Sequence, residues 1–300
     1  MGNRMFGCCD EGLNIKHQEL NVNPLTSRQG LNTSQFSSEI LSSFMRESCE
    51  FKMTDLGQRR LALSALKDFK TLKLRIVNSG MLDKDKILNI RPSGLEQSKR
   101  RADDGYVFFG CKKKLRNVIV NDFVVPLRDP ELNETHRGKH FVIYYRIDKN
   151  SYWIRDLCVG FGVFVRLDYT LLLKDSMLFN IGESFLVVHF KNTQNFSEIS
   201  IRVFGAGVSG ESKTFNSMQD ENILIGRNAA SHIKISDQML SKVQCTIFYT
   251  CTSGWMLVDG DLNNNRCSTN GTWMYLNEDF EIYNGMIFKT NQSLFEAKIE

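Results

Sequence analysis

From Leu72 to the C-terminus, short apolar runs recur about every ten residues, with turn-forming residues between them. Leu72–Val77, Val107–Gly110, Phe141–Ile147, Tyr152–Leu157 and Phe185–Phe190 form a first set. Ile201–Phe204, Ile223–Ile225, Ile233–Ile235, Val243–Tyr249, Trp255–Val258, Thr272–Leu276 and Met286–Phe288 form a second. Runs of this length, regularly spaced and almost without helical periodicity, fold as β-sandwiches or barrels. The chain has only four prolines, so central strands are not blocked. The expected fold class is all-β, with two sandwiches in tandem.

Three hundred residues suffice for two such domains. With 42% hydrophobic and 24% charged residues, the composition is globular rather than disordered. The net charge of +4 is low for a dedicated nucleic-acid binder, so no nucleic-acid partner is expected. Lys112, Lys113 and Lys114 form the longest basic run and read as a solvated loop in preference to a phosphate-binding patch. No apolar run reaches the ~20 residues that span a bilayer. The eight cysteines include no CxxC pair and no zinc spacing, and without an export signal they read as reduced thiols of a cytoplasmic protein. Neither a metal nor a cofactor is expected.

Residues 1–58 are polar and read as a flexible tail. Phe36, Ile40, Leu41, Phe44 and Met45 recur there at helical spacing after the caps Thr33 and Ser34, and Arg59–Phe69 suits a short helix leading into the first domain. At the start, Gly2 is placed for N-myristoylation, and Cys8 and Cys9 for palmitoylation. One acyl chain binds membranes marginally and two bind stably. Phe6 stands where that motif takes Ser or Thr, so an unmodified terminus is the alternative.

Three segments of the C-terminal block share a theme. Gly226-Arg227 follows an apolar run; Ser241-Lys242-Val243-Gln244 precedes one; Ser268-Thr269-Asn270-Gly271-Thr272-Trp273 comes last. In order and spacing they resemble the forkhead-associated (FHA) domain, in which loops at one end of a β-sandwich grip a phosphothreonine peptide. The resemblance implies that Arg227, Ser241, Lys242, Thr269 and Asn270 bind the phosphopeptide. Arg227 would offer a guanidinium fork to the phosphate oxygens, Ser241 and Thr269 hydroxyls, and Lys242 a point charge. Asn270 would bracket the peptide main chain with its amide. Gly226, Gln244 and Gly271 would set loop geometry. The family has His where Gln244 stands, which puts the rigidity of the loops in question, and the stretch Gly260–Cys267 looks like an insertion that would shade or extend the site.

The block over 59–190 resembles a degenerate FHA domain. Gly110, His140 with Phe141–Ile143, and Tyr152–Leu157 match framework positions, but Cys111, Arg137 and Phe161 stand where the phosphate and peptide ligands belong. The second domain is expected over 198–300, after a short linker near Lys191–Glu198. Gly205, Gly207 and Gly210 fit a dinucleotide fingerprint by spacing, but the polar stretch that follows is no amphipathic helix, so they read as a hairpin turn. No nucleophile–base set or metal cluster calls for catalysis. The expectation is a non-enzymatic adaptor that binds phosphothreonine-containing proteins, held by its acylated tail at the cytosolic face of a membrane. The alternative is a structural scaffold whose two sandwiches bind no phosphopeptide.

Overall fold

Twenty-three strands and one helix make up the described part of the chain, which in the computed structural model comprises residues 51, 53–100, 102–127, 138–192, 197–205, 208–218 and 222–300. Gly2, Cys8, Cys9, the segment Phe36–Met45 and Arg137 lie outside these residues. Helix α1 (Leu56–Ser64) starts three residues before the helix expected from the sequence, because Asp55 caps it: Oδ1 accepts from the amides of Gly57 at 2.8 Å and Gln58 at 3.3 Å.

The first strands are β1 (Leu72–Ser79), β2 (Ile87–Arg91), β3 (Gly94–Leu95), β4 (Tyr106–Gly110), β5 (Lys114–Leu115), β6 (Val118–Ile119), β7 (Phe123–Val124), β8 (Phe141–Arg146), β9 (Ser151–Asp156) and β10 (Val163–Arg166). Next come β11 (Leu171–Leu172), β12 (Leu178–Ile181), β13 (Ser184–Asn192), β14 (Ser197–Gly205), β15 (Val208–Asn216), β16 (Ile223–Gly226), β17 (Ile233–Lys234), β18 (Cys245–Thr250), β19 (Gly254–Asp259) and β20 (Trp273–Tyr275). The last are β21 (Phe280–Glu281), β22 (Ile287–Thr290) and β23 (Ser293–Ile299).

Period-two alternation directs one side chain in two inward. On β1, Leu72, Leu74 and Ile76 are fully buried while Arg75 is exposed. The long sheet runs β15-β14-β13-β12-β20-β10-β22-β23-β1-β2-β3. Two five-stranded sheets, β21-β9-β8-β4-β7 and β11-β19-β18-β16-β17, repeat one another in layout. In each, a strand (β4 or β16) pairs in parallel with one neighbour and antiparallel with the other. The fold is the expected all-β one.

The strands that close each sandwich are exchanged between the two halves. β11, β12 and β13 follow the first block in sequence, yet β11 pairs with β19, β12 with β20 and β13 with β14. β21, β22 and β23 follow the second block, yet they pair with β9, β10 and β1. One sandwich thus takes β1–β10 with β21–β23, and the other takes β11–β20. Residues 59–190 and 198–300 each contribute strands to both. Lys191–Glu198 is not a linker but the end of the β13–β14 hairpin, with Lys191 opposite Glu198. Gly205 lies in the β14–β15 hairpin at φ 95°, a conformation suited to glycine.

The exchange sets an expectation for fragments. A fragment of residues 198–300 lacks the closing strands β11–β13 and should not unfold cooperatively. A fragment of residues 168–277 keeps β11–β20 and should. Amide dispersion in NMR spectra and denaturant titrations of the two fragments check this.

Candidate functional site

The loops at one end of the second sandwich bring the sequence-predicted residues together. Gly226 ends β16, and its backbone packs so closely on the next loop that a Cβ would lie 2.3 Å from the Lys242 carbonyl oxygen. Only glycine permits that approach. It lets the Arg227 amide donate to the Ser241 carbonyl at 3.2 Å and the Asn228 amide to the Lys242 carbonyl at 3.1 Å. The side chains of Arg227 and Lys242 are exposed. Ser241 Oγ accepts from the Thr269 amide at 2.9 Å and donates to Thr269 Oγ1 at 3.3 Å, which joins the second and third segments. Asn270 Nδ2 donates to the Met239 carbonyl at 2.7 Å, and the Asn270 carbonyl accepts from the Trp273 indole at 2.9 Å. The loops that carry two exposed cations, two hydroxyls and an amide are thus joined to one another by hydrogen bonds.

Beneath these loops lies fully buried Gln244. Its Oε1 accepts from the Ser241 amide at 3.0 Å, and its Nε2 donates to Ser268 Oγ and to the Gly271 carbonyl, both at 2.9 Å. Glutamine offers acceptor and donor at once, so it ties the loop that carries Ser241 to the loop that carries Ser268–Gly271. These three bonds are made by a glutamine at the position where the family has histidine.

Sequence reading missed Asp259, at the end of β19. Its carboxylate accepts from the Ser268 amide at 2.9 Å, the Ser268 hydroxyl at 2.7 Å and the Thr272 hydroxyl at 2.7 Å. The only available signal was an acid at a strand end before a Ser-Thr turn. Gly271 takes φ 78°, and a Cβ there would lie 2.8 Å from Arg166 Nε of β10. Gly260–Cys267 closes on itself, with Asp261 and Arg266 exchanging backbone bonds of 2.7 and 3.1 Å.

The matching end of the first sandwich is built differently. Gly110 again admits a close backbone, since a Cβ there would lie 2.0 Å from the Gly138 carbonyl oxygen. Cys111 is buried and Phe161 half-buried. Asp156 ends β9 as Asp259 ends β19, and it is 4% exposed. Its Oδ1 accepts from the Cys158 amide at 2.6 Å and the Tyr275 hydroxyl at 3.3 Å, while Oδ2 has no hydrogen-bond partner among the described residues. Burial pushes its pKa up to about 7. Cys158 is disulfide-bonded, which corrects the expectation of a reduced thiol there; pairing of distant cysteines leaves no mark in local spacing. Cys111, Cys245, Cys251 and Cys267 form no disulfide. Among the described residues no cluster of His, Cys, Asp and Glu has the geometry to hold a metal ion, and no helix is long and apolar enough to cross a membrane.

Two outcomes are expected. Gln244→Ala should cost about 2–4 kcal/mol by stranding the buried groups it bonds, read as a lower urea midpoint, and Gln244→His should recover much of that loss. The carboxyl of Asp156 titrates higher folded than unfolded, so its contribution to stability is complete below about pH 4 and is lost as pH rises through about 7. Asp156→Asn should flatten the fall in urea midpoint between those values.

Residues 223–289 match the family model described as FHA domain. The match spans β16–β20 of the second sandwich, with the site, and runs on through β21 into β22, which pair with the first. No curated protein and no solved structure matches the chain.

Proposed function

We propose that this FHA-domain chain is a non-enzymatic adaptor that binds phosphothreonine-containing proteins at the loop end of its second sandwich. The family match supports a phosphopeptide-binding interaction module in general. The observation that carries the finer reading is the shared rim of Arg227, Ser241, Lys242, Thr269 and Asn270 above the Gln244 brace. In this reading Arg227 and Lys242 neutralise a phosphate of about −1.5 to −2 charges. The Ser241 and Thr269 hydroxyls donate to its oxygens. Asn270, fixed by Met239 and Trp273, presents its amide to the peptide main chain. In the first sandwich buried Cys111 and half-buried Phe161 stand where the second has Arg227 and Asn270, so this reading assigns the phosphothreonine peptide to the second. Acylation of Gly2, Cys8 and Cys9 would hold the adaptor at the cytosolic face of a membrane.

Titration of the full chain with a phosphothreonine peptide library, in calorimetry or fluorescence polarisation, tests this reading. Binding should need the phosphate, and Arg227→Ala should weaken it by at least ~30-fold, because a charge pair desolvated in the complex loses one partner. A folded chain that takes phosphorylated and unphosphorylated peptides alike would place the structural scaffold first.

A further inference from the structure

The first sandwich carries a hairpin after β4, the strand that corresponds to β16 before the Arg227 loop of the second. Strands β5 and β6 pair Lys114 with Ile119 and Leu115 with Val118. The two residues between them, Arg116 and Asn117, have φ of 47° and 65°, so the turn is the tight two-residue kind that matches strand twist. Its base is fastened by Asn121, 2% exposed, whose Nδ2 donates to the Lys112 carbonyl at 2.6 Å and the Gly138 carbonyl at 2.9 Å. The hairpin is therefore a fixed projection.

Its chemistry is unusual for a solvated turn. Leu115 and Val118 are cross-strand partners on one face, and they are 38% and 64% exposed. Lys113, Lys114 and Arg116 flank them, all exposed, and residues 112–120 contain no acid. Lys99 stands beside Lys113, and its ammonium lowers the Lys113 pKa, the mark of cations crowded together. Of the acids close in sequence, Glu96 pairs with Arg91, Asp104 and Asp122 pair with Arg100, and Asp103 is exposed, which leaves the cations in excess there.

We propose that this hairpin docks on an anionic lipid bilayer, with Leu115 and Val118 entering the interfacial zone and Lys99, Lys113, Lys114 and Arg116 meeting the headgroups. Charge complementarity selects an anionic surface. The exposed aliphatic pair selects lipid over nucleic acid, for which aromatic stacking platforms are the usual apolar element. The contact needs no acyl chain, so it is separable from any role of Gly2, Cys8 and Cys9.

The test uses unacylated full-length protein in vesicle co-sedimentation, with phosphatidylcholine alone and with added phosphatidylserine. Binding is expected to the mixed vesicles and to be weakened by salt. The triple variant Lys113→Glu, Lys114→Glu, Arg116→Glu should lose at least ~10-fold in partitioning. Leu115→Ser with Val118→Ser should lose several-fold on vesicles and keep any retention on a single-stranded oligonucleotide. All proteins should share one urea midpoint. The proposal is overturned if the folded wild type stays in the supernatant with mixed vesicles, or if either variant sediments as wild type does. A hairpin that answers to charge but not to Leu115 and Val118 is a polyanion contact, not a bilayer one.

Discussion

The antiparallel pairing of β10 with β20 holds the molecule together at its middle. Phe164, Val165 and Arg166 lie opposite Tyr275, Met274 and Trp273. This pair joins the sheets of the two sandwiches into one of eleven strands. The chain leaves each of these strands into the other sandwich: after β10 it closes the second, and after β20 it closes the first. Neither sandwich is complete without this crossing. The candidate site feels it directly, since the Leu167 amide donates to the Thr272 carbonyl at 2.9 Å and Arg166 runs under Gly271.

The two loop ends share a frame and differ in what satisfies it. In each, a glycine ends a strand and lets a neighbouring carbonyl come within the space of a Cβ, at Gly110 and Gly226. In each, an aspartate ends the strand before the next loop. Asp259 receives three donors and thereby fixes the Ser268–Thr272 turn. Asp156 keeps an oxygen without a described partner, and burial raises its pKa. A carboxylate with its lone pairs filled is a strut, whereas one left half-satisfied in the interior favours its neutral form. The loop end that carries exposed Arg227 and Lys242 is the one whose supporting network is closed.

Much of this was legible in sequence. Alternation on segments such as Leu72–Val77 and Tyr152–Leu157 gave the strands, since one buried side chain in two is a local property. The segments around Arg227, Ser241 and Asn270 were legible for the same reason, because each loop is short. The exchange was not. Leu178–Ile181 and Ile287–Thr290 have similar apolar patterns, and nothing local tells either which sandwich it closes. The brace on Gln244 was half legible: its position was marked, but its bonds to Ser268 and Gly271 depend on how distant loops fold together. Asp259 went unnoticed because its donors become visible only in three dimensions.

The weld also decides where the two loop ends point. The turn at 158–162 leads into the start of β10, and the turn at 268–272 leads into the start of β20. Because these strands run antiparallel, with Phe164 opposite Tyr275 and Arg166 opposite Trp273, their starting ends lie at opposite ends of the pair. The loops of the first sandwich, with the β5–β6 hairpin, therefore lie away from the loops that carry Arg227 and Asn270. On the proposed reading, a surface that engages the hairpin would leave the rim of Arg227 and Asn270 open, and a partner held at that rim would not compete for the hairpin. Two tandem sandwiches on a flexible linker would not hold such an arrangement. Crossing the chain twice through one strand pair holds it without any linker at all.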